Sequence, residues 1–147
     1  MKKRLFLATL LILFLAEGCT TSEKYVDTPR MTKDDLKAML GNPDLLVIDV
    51  RYGKDWTDSN LKIRGAVRED PEAFDSWANK YPKDKTFVFY CAWPQEGTSA
   101  SLAQKLVEMG YKKVYALKGG WREWIKDNYP TENKWAFTAH PFFLTSI

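Results

Sequence analysis

From residue 32 onward the chain switches repeatedly between two hydrophobic patterns. One is a short, nearly continuous apolar run, and the other places apolar residues at helical spacing. Thr32-Lys33-Asp34-Asp35 reads as an N-cap with an acidic first turn. Leu36, Met39 and Leu40 continue that helix, and Gly41-Asn42-Pro43 ends it. Leu45 to Val50 is apolar except for Asp49, a pattern suited to a strand buried on both faces. Trp56 lies in a short helical or looped segment. Gly65-Ala66-Val67 reads as a short second strand, and Phe74, Trp77 and Ala78 as one face of a helix. After a turn at Pro82 to Lys85, Thr86 to Tyr90 forms a β-prone strand that runs directly into Cys91. Leu102, Ala103, Leu106 and Met109 mark an amphipathic helix closed by Gly110. Val114 to Leu117 is another strand, and Gly119-Gly120 turns into a helix bearing Trp121, Trp124 and Ile125. Strands alternating with helices predict an α/β domain with a mostly parallel sheet covered on both faces. Such sheets bind ligands at the carboxyl ends of their strands, where Cys91 falls.

The two ends of the chain follow other rules. Met1 to Arg4 is cationic, and Leu5 to Ala16 is an apolar run of twelve residues. That length is short for a bilayer span and suits the core of an export signal. Leu15-Ala16-Glu17-Gly18-Cys19 resembles a bacterial lipobox, which implies a lipid on Cys19 and residues 1–18 removed. Ala16-x-Gly18 also fits an ordinary signal-peptidase site, and an uncleaved anchor is the third possibility. Each places the domain outside the cytoplasm. The lipobox resemblance implies a membrane anchor facing the periplasm. Thr20, in place of an inner-membrane retention Asp, favours the outer membrane. Residues 19–30 then form the lipidated cysteine and a polar tether. Residues 31–128 form the domain. Residues 129–147 are an extension without periodicity, holding Trp135, Phe137, Phe142, Phe143 and Leu144. It either packs back on the domain or offers a surface to a protein partner or membrane.

Net charge narrows the partners. The chain carries +3, of which Lys2, Lys3, Arg4 and Glu17 supply +2, so the domain is near neutral. The body has no Lys/Arg-rich run, and nucleic-acid binding has no electrostatic support. His140 is the single histidine, so a metal site lacks ligands and no cofactor is expected. There are two cysteines. With Cys19 acylated, Cys91 is the one thiol left, either a buried small hydrophobe or a group in use.

The stretch after Cys91 favours use. Ala92, Trp93, Pro94, Gln95, Glu96 and Gly97 form a loop that leads into the helix at Thr98 and Ser99. A loop curled around sulfur aims backbone N–H groups at it, and the helix adds its positive end. Both favour thiolate over thiol. Thr98 and Ser99 can cap the helix or donate hydroxyl hydrogen bonds into the cradle. Asp49 and Arg51 have two readings. They either shape and charge the pocket mouth, or Asp49 caps local backbone while Arg51 pairs with an acid.

The order and spacing of several pieces resemble a rhodanese domain over about Met31 to Asn128. They are Val47-Ile48-Asp49-Val50-Arg51, Ile63-x-Gly65-Ala66-Val67, Phe89-Tyr90-Cys91, and Gly110-Tyr111 through Gly119-Gly120-Trp121-x-x-Trp124. The resemblance implies a five-stranded, mostly parallel sheet flanked by helices on both faces. It also implies sulfurtransfer. Cys91 takes a sulfane sulfur from a small donor and passes it to a thiol or cyanide-like acceptor. The family loop usually reads Cys-x-x-Gly-x-Arg-Ser. Here Ser99 lies eight residues after Cys91, which resembles a long-loop variant, Cys-x-x-Pro-x-Glu-x-Thr-Ser. Glu96 in place of a cation is expected to disfavour a dianion such as thiosulfate by about 1 kcal/mol. Leu61-Lys62-Ile63 stands where the family often has Gly-His-Ile. Related phosphatases need an arginine closing the loop, and none occurs between Cys91 and Arg122. Two further classes stay open: a non-catalytic module that recognises a protein or anion, and a redox-sensing thiol.

Overall fold

The computed structural model describes residues 27–136. The leader, Cys19 and residues 137–147, including His140, Phe142 and Phe143, lie outside the described residues. The described strands are β1 (Arg30–Met31), β2 (Leu45–Asp49), β3 (Leu61–Ile63), β4 (Val67–Arg68), β5 (Thr86–Tyr90), β6 (Lys113–Leu117) and β7 (Thr131–Asn133). The helices are α1 (Lys33–Met39), α2 (Lys54–Thr57), α3 (Phe74–Trp77), α4 (Gly97–Glu108) and α5 (Gly120–Lys126). Short 3-10 turns flank α3. No described helix is long and apolar enough to cross a membrane.

Five strands form one parallel sheet in the order β1-β6-β5-β2-β4, as the alternation of patterns predicts. Side chains alternate across a strand, so each strand feeds two cores. Leu46, Ile48, Phe87 and Phe89 face α3 and α4, where Phe74, Trp77, Leu102 and Leu106 cover them. Leu45, Val47, Val88 and Tyr90 face the other way, under Leu36, Trp121 and Trp124 of α1 and α5. Cys91 continues the first set and therefore lies on the α4 side.

Local signals set the helix ends. The Thr32 hydroxyl accepts from the Asp35 N–H at 3.1 Å and caps α1. Gly110, at φ +91°, ends α4.

The expected second strand needs correction at its bounds. Gly65, at φ +77°, and Ala66 form a turn, and only Val67–Arg68 pairs, with Ile48 and Asp49 of β2. Two residues are too few to show a period. Ile125 is exposed, because α5 buries Trp121 and Trp124 on one side only. Residues 129–136 pack back on the domain, one of the two readings of the extension. β7 pairs antiparallel with β3, matching Ile63 with Thr131 and Leu61 with Asn133. Lys134 reaches back from there, its Nζ 3.0 Å from the carbonyls of both Trp56 and Thr57 at the end of α2. A cation there satisfies carbonyls that α2 cannot bond itself. Trp135 stays exposed. At the other end, Thr28 and Arg30 belong to the fold. The Thr28 hydroxyl donates to the Ala100 carbonyl at 3.1 Å, and β1 pairs with the end of β6.

Candidate active site

Cys91 is the first residue past β5, at the carboxyl edge of the sheet, and is 6% exposed. Its Sγ lies 3.4 Å from Ser99 Oγ and 4.0 Å from the Trp93 carbonyl oxygen. Ser99 is fully buried in the first turn of α4, and its hydroxyl donates to the Glu96 carbonyl at 3.1 Å. A hydroxyl has one proton and two lone pairs. Ser99 can therefore accept from a Cys91 thiol, or rotate and donate to a thiolate.

The N-terminal turn of α5 holds the loop from behind. The Trp121 N–H donates to the Cys91 carbonyl at 2.8 Å, and the Arg122 N–H to the Ala92 carbonyl at 3.1 Å. Gly120 makes that approach possible. It sits at φ +57°, and a Cβ there would lie 2.8 Å from the Cys91 carbonyl oxygen and 2.9 Å from that of Trp93. The sequence reading took Gly119-Gly120 as a turn. Its second role, letting backbone pass close to the Cys91 loop, needs two distant segments in register.

Glu96 does not face the sulfur. It is buried at φ +57°, an uncommon region for a residue with a side chain. Its carboxylate pairs with the Arg30 guanidinium and accepts the Gly119 N–H at 2.8 Å. Its charge is thus spent joining β1, the loop and the start of α5. This corrects the expectation that Glu96 repels a dianionic donor. Glu96→Gly tests the latch cleanly, since glycine relieves the backbone while removing the carboxylate. Urea unfolding is expected to show a net loss of about 1–3 kcal/mol, from charged hydrogen bonds removed against strain relieved. An unchanged midpoint would mean the latch contributes no more than the backbone strain that glycine relieves.

An open pocket of about 310 Å³ lies over the sulfur. Cys91 and Ala92 line it together with Trp93, Gln95, Gly97 and Thr98 of the loop. Tyr52 and Asp55 close the opposite side. Pro94 is exposed and stands outside this wall. The first intrahelical bond of α4 runs from the Ala100 N–H to the Glu96 carbonyl at 2.8 Å. Gly97 and Thr98 precede it and line the pocket, where the helix end favours negative charge. Sγ itself meets the Ser99 hydroxyl.

Asp49 and Arg51 do not line the pocket. Both side chains are fully buried, and Asp49 Oδ2 accepts from Arg51 Nη2 at 2.6 Å. Asp49 also takes the Arg51 backbone N–H at 3.1 Å and the Tyr90 hydroxyl at 2.6 Å. Tyr90 belongs to the core opposite Cys91. Burial pushes the Tyr90 phenol well above its ordinary pKa, with the Asp49 charge adding to the effect, so it stays a donor. Burial alone would lower the Arg51 pKa, but Asp49 together with Tyr90 and Asp55 outweighs it and the net shift is upward. The Arg51 guanidinium lies 4.3 Å from the Trp121 ring centroid and 5.2 Å from that of Trp56. Its Nη1 has no hydrogen-bond partner among the described residues. The pair thus supports the site at one remove, through Trp121, whose N–H holds Cys91.

Sequence reasoning missed four residues at or behind the pocket. Tyr52 and Asp55 come from the β2–α2 region, and Arg30 and Arg122 from opposite ends of the domain. The Arg122 guanidinium lies 3.2 Å from the Trp93 ring centroid and 3.5 Å from Asp55. No motif marked them, because only the fold brings them to one edge of the sheet.

The parallel sheet with helices on both faces agrees with what known proteins show. Residues 32–127 match the model of the rhodanese-like domain. The chain belongs to the rhodanese-like family. This rhodanese-like chain is 33% identical over 91 residues to the thiosulfate sulfurtransferase GlpE of Coxiella burnetii, covering 61% of this chain and 79% of that one. It is 28% identical over 95 residues to the GlpE of Glaesserella parasuis, covering 64% and 83%. It also shares 31% identity over 108 residues with a tRNA uridine(34) hydroxylase of Sinorhizobium medicae, 69% of this chain but 33% of that protein. Among solved structures, the rhodanese-like domain of the Anabaena sp. Alr3790 protein aligns at TM-score 0.60 and 27% identity, covering 71% of this chain and 79% of that one. A Rhodopseudomonas palustris protein of unknown function, described as a possible tyrosine phosphatase, aligns at 0.61 and 28%, covering 71% and 85%.

Proposed function

We propose that the protein is a sulfurtransferase, or persulfide carrier, in which Cys91 holds the sulfur in transit. The observation that carries this reading is the position of Cys91 at the base of an open pocket whose edge is the free end of α4. Cys91 thiolate attacks the outer sulfur of a donor R–S–SH. The Sγ–S bond forms, the donor S–S bond breaks, and the thiol RSH leaves. An acceptor thiolate then takes that sulfur and frees Cys91. No net oxidation occurs in either half. The Ser99 hydroxyl donates to the thiolate before attack and after release, while the outer persulfide sulfur extends toward the Gly97 and Thr98 N–H groups. The likeness to the GlpE proteins supports the reaction class. Phosphate chemistry lacks its clamp, since no arginine lies between Cys91 and Arg122.

The leader and Cys19 support a second part of this proposal: an exported protein anchored by lipid on the periplasmic side of a bacterial membrane, with the outer membrane favoured. Mass spectrometry of the mature N-terminal peptide tests it. A peptide beginning at diacylated Cys19 is expected, and an unmodified Cys19 would remove the anchor.

The reaction is tested by intact mass after exposure to polysulfide, glutathione persulfide and thiosulfate in turn. The expected result is one added sulfur on the wild type, released by cyanide, and none on Cys91→Ala. No adduct from any donor would sink the enzyme reading and leave the fold serving recognition.

A further inference from the structure

The pocket over Cys91 has a neighbour. A shallow hollow of about 300 Å³ adjoins it, lined by Lys54, Asp58, Arg122 and Ile125 among others, and Asp55 lines both. Asp55 and Arg122 stand at the join, 3.5 Å apart and both partly exposed. Their positions are held from behind. Arg122 is tied through its N–H to the Ala92 carbonyl and lies against Trp93. Asp55 sits on α2, whose last carbonyls are held by Lys134.

Resting on the sulfurtransferase reading, we propose that Asp55 and Arg122 form a subsite for the charged end of a zwitterionic persulfide of the amino-acid or small-peptide type. The sulfur end enters over Cys91, an ammonium group meets Asp55, and a carboxylate meets Arg122. Five points lead there. Both signs of charge are present at the join, so a ligand with only one sign would meet repulsion from the other. The resting pair is long and exposed, so opening it for a ligand costs little. The wall over the sulfur includes one charged side chain, Asp55, an anion that disfavours a bare dianion such as thiosulfate. The exposed rings of Trp93 and Tyr52 give the ligand's organic part a surface that an inorganic donor cannot use. At about 310 Å³ the pocket alone has the size of a small-molecule site, and the hollow leaves room for a peptide tail. The step balances as above: cysteine persulfide or glutathione persulfide gives up its outer sulfur and leaves as the free thiol.

The test compares sulfur loading of the full chain from glutathione persulfide and from thiosulfate, in wild type, Asp55→Asn and Arg122→Met. Asp55→Asn is expected to lower kcat/KM for glutathione persulfide about tenfold and to raise it severalfold for thiosulfate, since one charge attracts the first and repels the second. Arg122→Met is expected to lower the glutathione persulfide value about tenfold as well. A general loss of folding would move both donors the same way. The unreactive thioether S-methylglutathione supplies an independent readout, by calorimetry on Cys91→Ala. Saturable binding weakened by either second substitution supports the subsite. A donor ratio within about twofold of wild type in both variants, or no thioether binding, overturns it. The sulfurtransferase reading survives that result as long as some donor loads Cys91, and falls separately if none does.

Discussion

Replacing Gly120 with alanine is expected to slow sulfur uptake by Cys91 roughly 100-fold, because a displacement near 1 Å at a reacting group has that effect. The new Cβ would meet the carbonyl oxygens of Cys91 and Trp93 at 2.8 and 2.9 Å. These are backbone atoms and cannot swing aside as a side chain would. Either the loop moves outward or α5 retreats, and both break the Trp121 and Arg122 N–H bonds that seat Cys91 and Ala92. The φ of +57° adds about 1 kcal/mol of strain for alanine, and the clash adds about 1–3 kcal/mol. The measurement is the rate of mass gain beside a urea unfolding curve. The rate should fall by more than the lost stability explains, since most of the protein will still be folded. A variant that loads sulfur at the wild-type rate would show that the loop geometry does not matter to the chemistry.

Asp49→Ala is expected to be the most destabilising single change outside the pocket, at about 3–5 kcal/mol. It strands a fully buried Arg51 guanidinium whose Nη1 already lacks a hydrogen-bond partner. It also takes the acceptor from the Tyr90 hydroxyl. Little else can compensate, because one Arg51 N–H keeps the Leu61 carbonyl at 2.9 Å while the Trp121 and Trp56 rings offer only their faces. The double variant Asp49→Leu/Arg51→Met removes both charges and should cost clearly less than Asp49→Ala alone. Urea midpoints of the single and double variants decide this. A double variant as unstable as the single one would mean that the pair is favourable beyond balancing its own burial.

Much of the sheet was legible from local pattern. β2 and β5 read correctly because strands buried on both faces must be nearly all apolar, as Leu45–Asp49 and Thr86–Tyr90 are. α4 read correctly because one apolar stripe faces the sheet. β4 was read with its bounds shifted, meeting the observed strand only at Val67, and β7 was not read, since two or three residues carry no period and are strands only by their partners.

The site divides along the same line. Cys91, its place after a buried strand, and the loop and helix that follow it are all written within a dozen residues. Backbone geometry near one point of the chain depends on nearby residues, so the sequence alone determined that a thiol would stand at a strand end beside a helix terminus. The direction of each charge was decided elsewhere. Glu96 turned from the sulfur to Arg30, 66 residues away, and Asp55 met Arg122 across 67. Such pairings depend on which segments the sheet order brings together, and the strand order β1-β6-β5-β2-β4 is a property of the packed chain. Electrostatic energy falls with distance in space, and position along the chain does not encode that distance.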